Sequence, residues 1–152
     1  MRALDFLAIV LTAIGLVPGG AHVAELAHKI GLGPDAYLTV QGIYRGWSWF
    51  GAVLIAAIVT HLVRTIALRH RPGFGLSLAA LVSMCVGMAI FFTWTYPVNI
   101  ATANWTIAPE NWQALRRQWE YSHAVNAAVT LAALCCVTWS QIQRISTSSP
   151  SR

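Results

Sequence analysis

The chain has 152 residues, of which 57% are hydrophobic and 10% charged, with a formal net charge of +5. Ordinary soluble domains carry about 25% charged residues, so this composition excludes a typical soluble enzyme and points to a bilayer. The ten Lys and Arg residues form no basic stripe and gather at the ends of apolar segments, which excludes a nucleic-acid surface.

Apolar runs fall at 4–27, 46–68, 74–97 and 119–141, each near the roughly 20 residues that a bilayer crossing needs. The expectation is an all-α integral membrane four-helix bundle in a single domain, 1–145. Its helices are expected near 4–29, 45–68, 74–97 and 109–143, followed by a polar tail at 146–152.

The first run follows Arg2 and reaches "GGAHVA", which has the look of a signal-peptide cleavage site. Asp5 in the would-be basic region, and the patterned "HVAELAH" beyond it, favour a retained helix. A connection at 30–44 leads to the second helix. That helix stops at "RHRPG", where Pro72 and Gly73 make helices two and three antiparallel neighbours. Cys85, Cys135 and Cys136 all fall inside apolar runs and read as buried thiols rather than a disulfide framework. After the third helix a connection at 98–117 contains "APENWQALRRQWE", in which Pro109 suits a helix start and Glu110 its first turn. The fourth helix is expected to protrude about two turns beyond the membrane.

Arg2, Arg64, Arg69, Arg71, Arg144 and Arg152 lie at one end, against Lys29, Arg45, Arg116 and Arg117 at the other. The positive-inside rule puts both termini in the cytoplasm; a multi-pass protein of the bacterial inner membrane is the expectation.

The ends of helices one and four carry most of the chemistry. At about 100° per residue, His22, Glu25 and Lys29 share one face of helix one, while Arg116, Trp119, Glu120 and His123 share one face of helix four. Ionisable groups deep in a helix cost about 2.5–3.5 kcal/mol each on insertion scales, so they face the bundle interior and partner one another. The pattern predicts that Glu120 and His123 meet Glu25, His22 or His28 across the bundle, with Arg116 holding Glu120 from one turn above. Interfacial ion pairing without function is the competing reading, and few polar residues continue toward the inner end, which counts against a transporter.

Glu25–His28 and Glu120–His123 both spell Glu-x-x-His, the motif that two helices supply in dimetal carboxylate bundles. Helices two and three contain no Asp or Glu, so no dimetal set is complete. A single ion on Glu25, His28, Glu120 and His123 stays open. Trp47, Trp49, Trp94, Trp105, Trp112 and Trp119 cluster toward the outer end and only Trp139 toward the inner. A belt should mark both interfaces, so some of these rings are expected to line a cavity for a flat apolar ligand.

The run "TYPVNIATANWTIAPENWQALRRQWEYSHAVNA" carries Pro97, Asn99, Trp105, Trp112, Leu115, Arg116, Trp119, Glu120 and His123. In these positions it resembles the anthrone-oxygenase-like family of small four-helix membrane proteins, whose bacterial branch is described as a domain of unknown function. "HVAELAHKIGLGPDAYLTVQGIYRGW" is similar to that family's first loop. The resemblance implies an oxygenase that converts the activated methylene of an anthrone to a quinone carbonyl without an added cofactor. Asn126 and Ala127 stand where many relatives have a second basic residue after the His, which leaves the substrate unassigned.

The combined expectation is a membrane-embedded oxidoreductase acting on a small apolar aromatic compound. His123 is the candidate base, Glu120 its orienter and Arg116 an electrostatic anchor, with His22 and Glu25 opposite; Asn99, Trp119, Tyr44, Trp47 and Trp94 are candidate substrate contacts. Its partners would be the lipid bilayer and that small molecule. A non-catalytic membrane protein that binds a hydrophobic molecule or partner subunit is the alternative.

Overall fold

Each apolar run forms one long helix. The computed structural model describes the backbone of residues 1–148 and the side chains of residues 1–144; of the polar tail expected at 146–152, residues 149–152 lie outside the described residues. No strand occurs among the described residues.

Helix α1, Arg2–Lys29, runs unbroken through Pro18. Lacking an N–H, this proline leaves the Ile14 carbonyl without its helical donor. A short α2, Pro34–Gln41, occupies the connection expected at 30–44, started by extended Gly33, by Pro34 in its first turn and by Asp35. Two 3₁₀ turns, Gly42–Tyr44 and Trp47–Trp49, then flank Gly46 at φ +88°. Helix α3, Phe50–Leu68, therefore starts later than the expected residue 45.

Gly73, at φ +86°, ends the turn into α4, Phe74–Ile90. That helix does not stop at 97: it continues through a π turn, Phe91–Thr95, into α5, Tyr96–Ala101. Pro97 accounts for the π turn, because its ring cannot share an α-turn with the Thr93 carbonyl. The long helix α6, Trp112–Ser148, begins three residues after the expected Pro109. The Pro109 carbonyl instead accepts the Trp112 N–H at 2.9 Å in a preceding turn. At about 1.5 Å per residue α6 is roughly 55 Å long, against a hydrocarbon thickness of about 30 Å.

Four helical stretches, Arg2–Lys29, Trp47–Leu68, Phe74–Ala101 and Trp112–Arg144, are long and apolar enough to cross a membrane. Helix α1 packs on α3 and α6, and α4 packs on α3 and α6, so all neighbours in the square are antiparallel. One end, the turn end, holds residue 1, residue 148 and the 69–73 turn. The other, the loop end, holds α2 and the 102–111 connection.

The interior is small or polar and the exterior is large and apolar. Ala8, Ala57, Ala80 and Ala133 make up most of the core layer toward the turn end, while Phe6, Ile55, Val59, Ile66 and Leu131 are exposed. That distribution suits hydrocarbon as the surrounding solvent. The cysteines follow it: Cys85 and Cys135 are exposed on the outside of the bundle and Cys136 is partly so, which corrects the expectation of buried thiols.

Candidate functional site

Helices α1 and α6 come close because of Gly19. A Cβ there would lie 3.1 Å from the Ala127 Cβ and 3.2 Å from its Cα. This approach brings the polar face that ends α1 against the one that begins α6.

Lys29 sits at the centre of the result. Its Nζ lies 2.9 Å from His22 Nδ1, 3.3 Å from Tyr44 Oη, and 3.3 Å from both Glu25 Oε2 and Glu120 Oε1. Tyr44 donates its hydroxyl to Glu25 Oε2. The ammonium is thus shared by two carboxylates, with the Lys29 side chain 3% exposed and Glu120 fully buried. Because an ammonium only donates, His22 Nδ1 is the acceptor, and the neutral ring carries its proton on Nε2.

The two histidine rings lie side by side, tilted by 40°, in front of this ammonium. The ring centroids of His22 and His123 are 4.3 Å apart, and Trp119 lies edge-on at 4.6 Å from His22 and 4.3 Å from His123. Trp119 is itself fixed by donating Nε1–H to Asn99 Oδ1 at 2.7 Å. His123 makes no hydrogen bond to the described residues, so both ring nitrogens are available to a ligand. The rings form one wall of a cavity of about 950 Å³ that is otherwise mainly apolar and aromatic, with Asn126 and Thr130 toward its floor.

The sequence-derived candidates divide into those on this wall and those behind it. His22, His123, Trp119, Asn99, Tyr44 and Trp47 all line the cavity. Glu25 and Glu120 lie behind it around Lys29. Glu120 does not steer His123 as expected, because its Oε1 accepts from Tyr37 Oη at 2.8 Å and Gln41 Nε2 at 3.4 Å while Oε2 has no partner among the described residues. Nor does Arg116 hold Glu120. Its Nη1 donates to the Leu32 carbonyl at 2.6 Å, and its guanidinium lies 5.4 Å from the Tyr37 ring and 4.5 Å from the Trp112 ring, anchoring the chain between α1 and α2.

Trp94, in the π turn, is half exposed and away from the cavity. His28 is exposed, and no group of three or more His, Cys, Asp or Glu residues with metal-binding geometry occurs among the described residues. The Glu25, His28, Glu120 and His123 set is therefore not assembled. The Lys29 ammonium holds the place between the two carboxylates.

Residues not singled out as site residues from the sequence complete the arrangement. Lys29 was legible on the His22–Glu25 face, but its bridging role was not. Tyr37 is fully buried against Trp105. Burial, and then the neighbouring Glu120 carboxylate, raise its pKa well above the usual tyrosine value, so it remains a hydroxyl donor.

A second polar cluster fills the turn end, correcting the reading that few polar groups reach it. Fully buried Arg64 donates Nε–H to Asp5 Oδ1 at 2.9 Å and Nη2–H to Ser140 Oγ at 3.1 Å, and Arg144 Nη1 reaches the same Asp5 oxygen at 3.0 Å. Thr12 donates to the Ala8 carbonyl at 2.6 Å and so receives the Nε2–H of His61 at 2.8 Å. Arg64 is therefore an interior residue and not a free charge at the membrane surface.

Comparisons with protein-family models, with curated proteins and with solved structures find no match for this chain.

Proposed function

We propose that the chain is a multi-pass protein of the bacterial inner membrane, with both termini cytoplasmic, and that its cavity binds a small apolar aromatic molecule for oxidation by dioxygen. The observation that carries this reading is the closely apposed His22–His123 pair, which faces an apolar cavity and is backed by a buried ammonium. A flat ring fits against Trp119, Tyr44 and Trp47, and Asn99 and Asn126 supply polar contacts at its edge.

The chemistry is that implied by the resemblance to anthrone oxygenases. A base removes a proton from an activated CH₂ flanked by aromatic rings, and the resulting enolate reacts with O₂. Loss of water leaves a carbonyl, so CH₂ + O₂ gives C=O + H₂O. His123, with no hydrogen bond to the described residues, is the group we assign to that proton. To His22, whose Nδ1 accepts from Lys29 and whose proton is on Nε2, we assign donation to the substrate oxygen.

His123→Ala should retain binding of an anthrone in detergent while lowering oxygen consumption by about 10²–10⁴. Wild-type protein that binds anthrones and hydroquinones but consumes no oxygen with any of them would remove the catalytic part. A second reading, ligand binding without turnover, draws on the commitment of Glu120 to Tyr37, Gln41 and Lys29, which leaves His123 without a carboxylate orienter.

A further inference from the structure

The cavity has a side opening. Phe50, Gly51 and Ile55 of α3 face Met88, Phe91 and Phe92 of α4 and the π turn across the cavity, so the space lies between two neighbouring helices as well as above them. At the turn end those helices touch, with Thr65 Oγ1 2.9 Å from Ser77 Oγ. At the loop end the π turn and α5 are instead drawn onto α6, through Thr95 to Ser122 at 2.8 Å and Asn99 to Trp119 at 2.7 Å. Ile55 and Phe92 line the cavity yet are 58% and 57% exposed, which marks where it reaches the outside of the bundle.

None of the six residues flanking this slot is charged. From Phe50 to Ile55 the slot runs about 8 Å along α3, at about 1.5 Å per residue. At Gly51 the wall stays open, since a Cβ would meet nothing within 4 Å. In a bilayer this face of the bundle meets acyl chains, so the cavity would be continuous with hydrocarbon and not only with water at the loop end.

Resting on the function proposed above, we propose that the ligand enters sideways from the membrane and carries an apolar chain that stays in the α3–α4 slot while its oxygen-bearing aromatic head reaches His22 and His123. A chain-bearing anthrone dissolved in the bilayer, whose enol form is a phenol, has this chemistry, and a 4-alkylphenol stands in for its head and chain. A cavity of about 950 Å³ lies near the upper end of small-molecule sites, roughly 300–1,000 Å³, and has room for more than a bare ring.

The test uses the full chain in liposomes with two photoreactive probes, a 4-alkylphenol bearing a diazirine in its chain and a ring-less alcohol with the same chain. The alkylphenol should label residues within 50–55 and 88–92. Gly51→Leu and Ile55→Trp should each lower that labelling about tenfold, the factor for roughly 1.4 kcal/mol, while binding of unsubstituted phenol to detergent-solubilised protein stays unchanged. Slot labelling by the ring-less probe as strongly as by the alkylphenol would uphold the side entrance and fail the aromatic function alone. Absence of label from both segments of the wild type, or labelling elsewhere that neither substitution affects, would overturn the side entrance. Because wild-type mapping decides this, a variant that failed to fold would not shield the proposal.

Discussion

Lys29 is the one cation shared by Glu25 and Glu120 among the described residues, and removing it should leave Glu120 buried without an ionic partner at its Oε1. Breaking a buried ion pair from one side costs about 3–5 kcal/mol, so Lys29→Met should lower stability in detergent by that order. Adding Glu120→Gln should restore part of the loss, with a coupling of roughly 0.5–3 kcal/mol. Unfolding titrations of the two single variants and the double variant measure this directly, and strict additivity would mean that Lys29 and Glu120 do not share a network. Tyr37 gives a pH-dependent companion. Its folded pKa is raised, by burial first and by Glu120 second, so its contribution is complete below the ordinary tyrosine pKa near 10 and declines as pH rises beyond it. Wild-type stability should therefore fall more steeply above pH 10 than that of Tyr37→Phe, which in turn should be weaker at neutral pH by about 1–3 kcal/mol for the lost donor to a buried carboxylate.

The helices are positioned by glycines that look alike in sequence. Gly19 has Ala127 3.1 Å from where a Cβ would be, whereas Gly20 has nothing within 4 Å. Gly19→Ala should push α1 from α6 at a cost of about 1–3 kcal/mol, and Gly20→Ala should stabilise by about 0.5–1 kcal/mol through helix propensity. Thermal denaturation of the pair checks the contrast. Periodicity made legible the four long helices and the shared depth of the His22–Glu25–Lys29 and Trp119–Glu120–His123 faces, because burial of ionisable groups enforces that pattern. It did not reveal side-chain reach: Lys29 is long enough to cross to α6, and Arg116 turns up to Leu32 instead of down to Glu120. Helix α2 was missed because it is only eight residues long, although Gly33, Pro34 and Asp35 are ordinary start signals. Ala57, His61, Arg64 and Leu68 at helical spacing in α3 already spelled one buried stripe; reading Arg64 as an end-of-helix charge concealed it.

For the whole molecule, burial also alters the charge balance behind the proposed orientation. With Arg64 paired inside and Arg144 joined to Asp5, the exposed basic residues of the turn end among the described residues are Arg2, Arg69 and Arg71, against Arg45 and Arg117 at the loop end. The bias keeps its sign but becomes small. In a background with its three cysteines replaced, a cysteine at exposed Arg71 should be protected from an impermeant reagent applied outside, and one at exposed Ala36 should react. Gly73 would be a poor probe site, with its positive φ and Ser140 Oγ 2.6 Å from a Cβ. Reversed labelling would turn the cavity mouth toward the cytoplasm.

The Asp5 cluster has a consequence in time. Asp5 can meet Arg64 as soon as the second long helix emerges from the ribosome, but Arg144 arrives only with the last of the four long helices, 139 residues after Asp5. Until then the first hairpin carries its carboxylate and guanidinium without the closing arginine and without Ser140, the other partner of Arg64. A nascent chain halted before residue 140 should therefore stay open to membrane proteases that spare the finished protein. Pulse-chase of released chains ending at residues 110, 138 and 148 would show protection appearing only with the last, so that one aspartate in the first helix records whether the fourth has been completed.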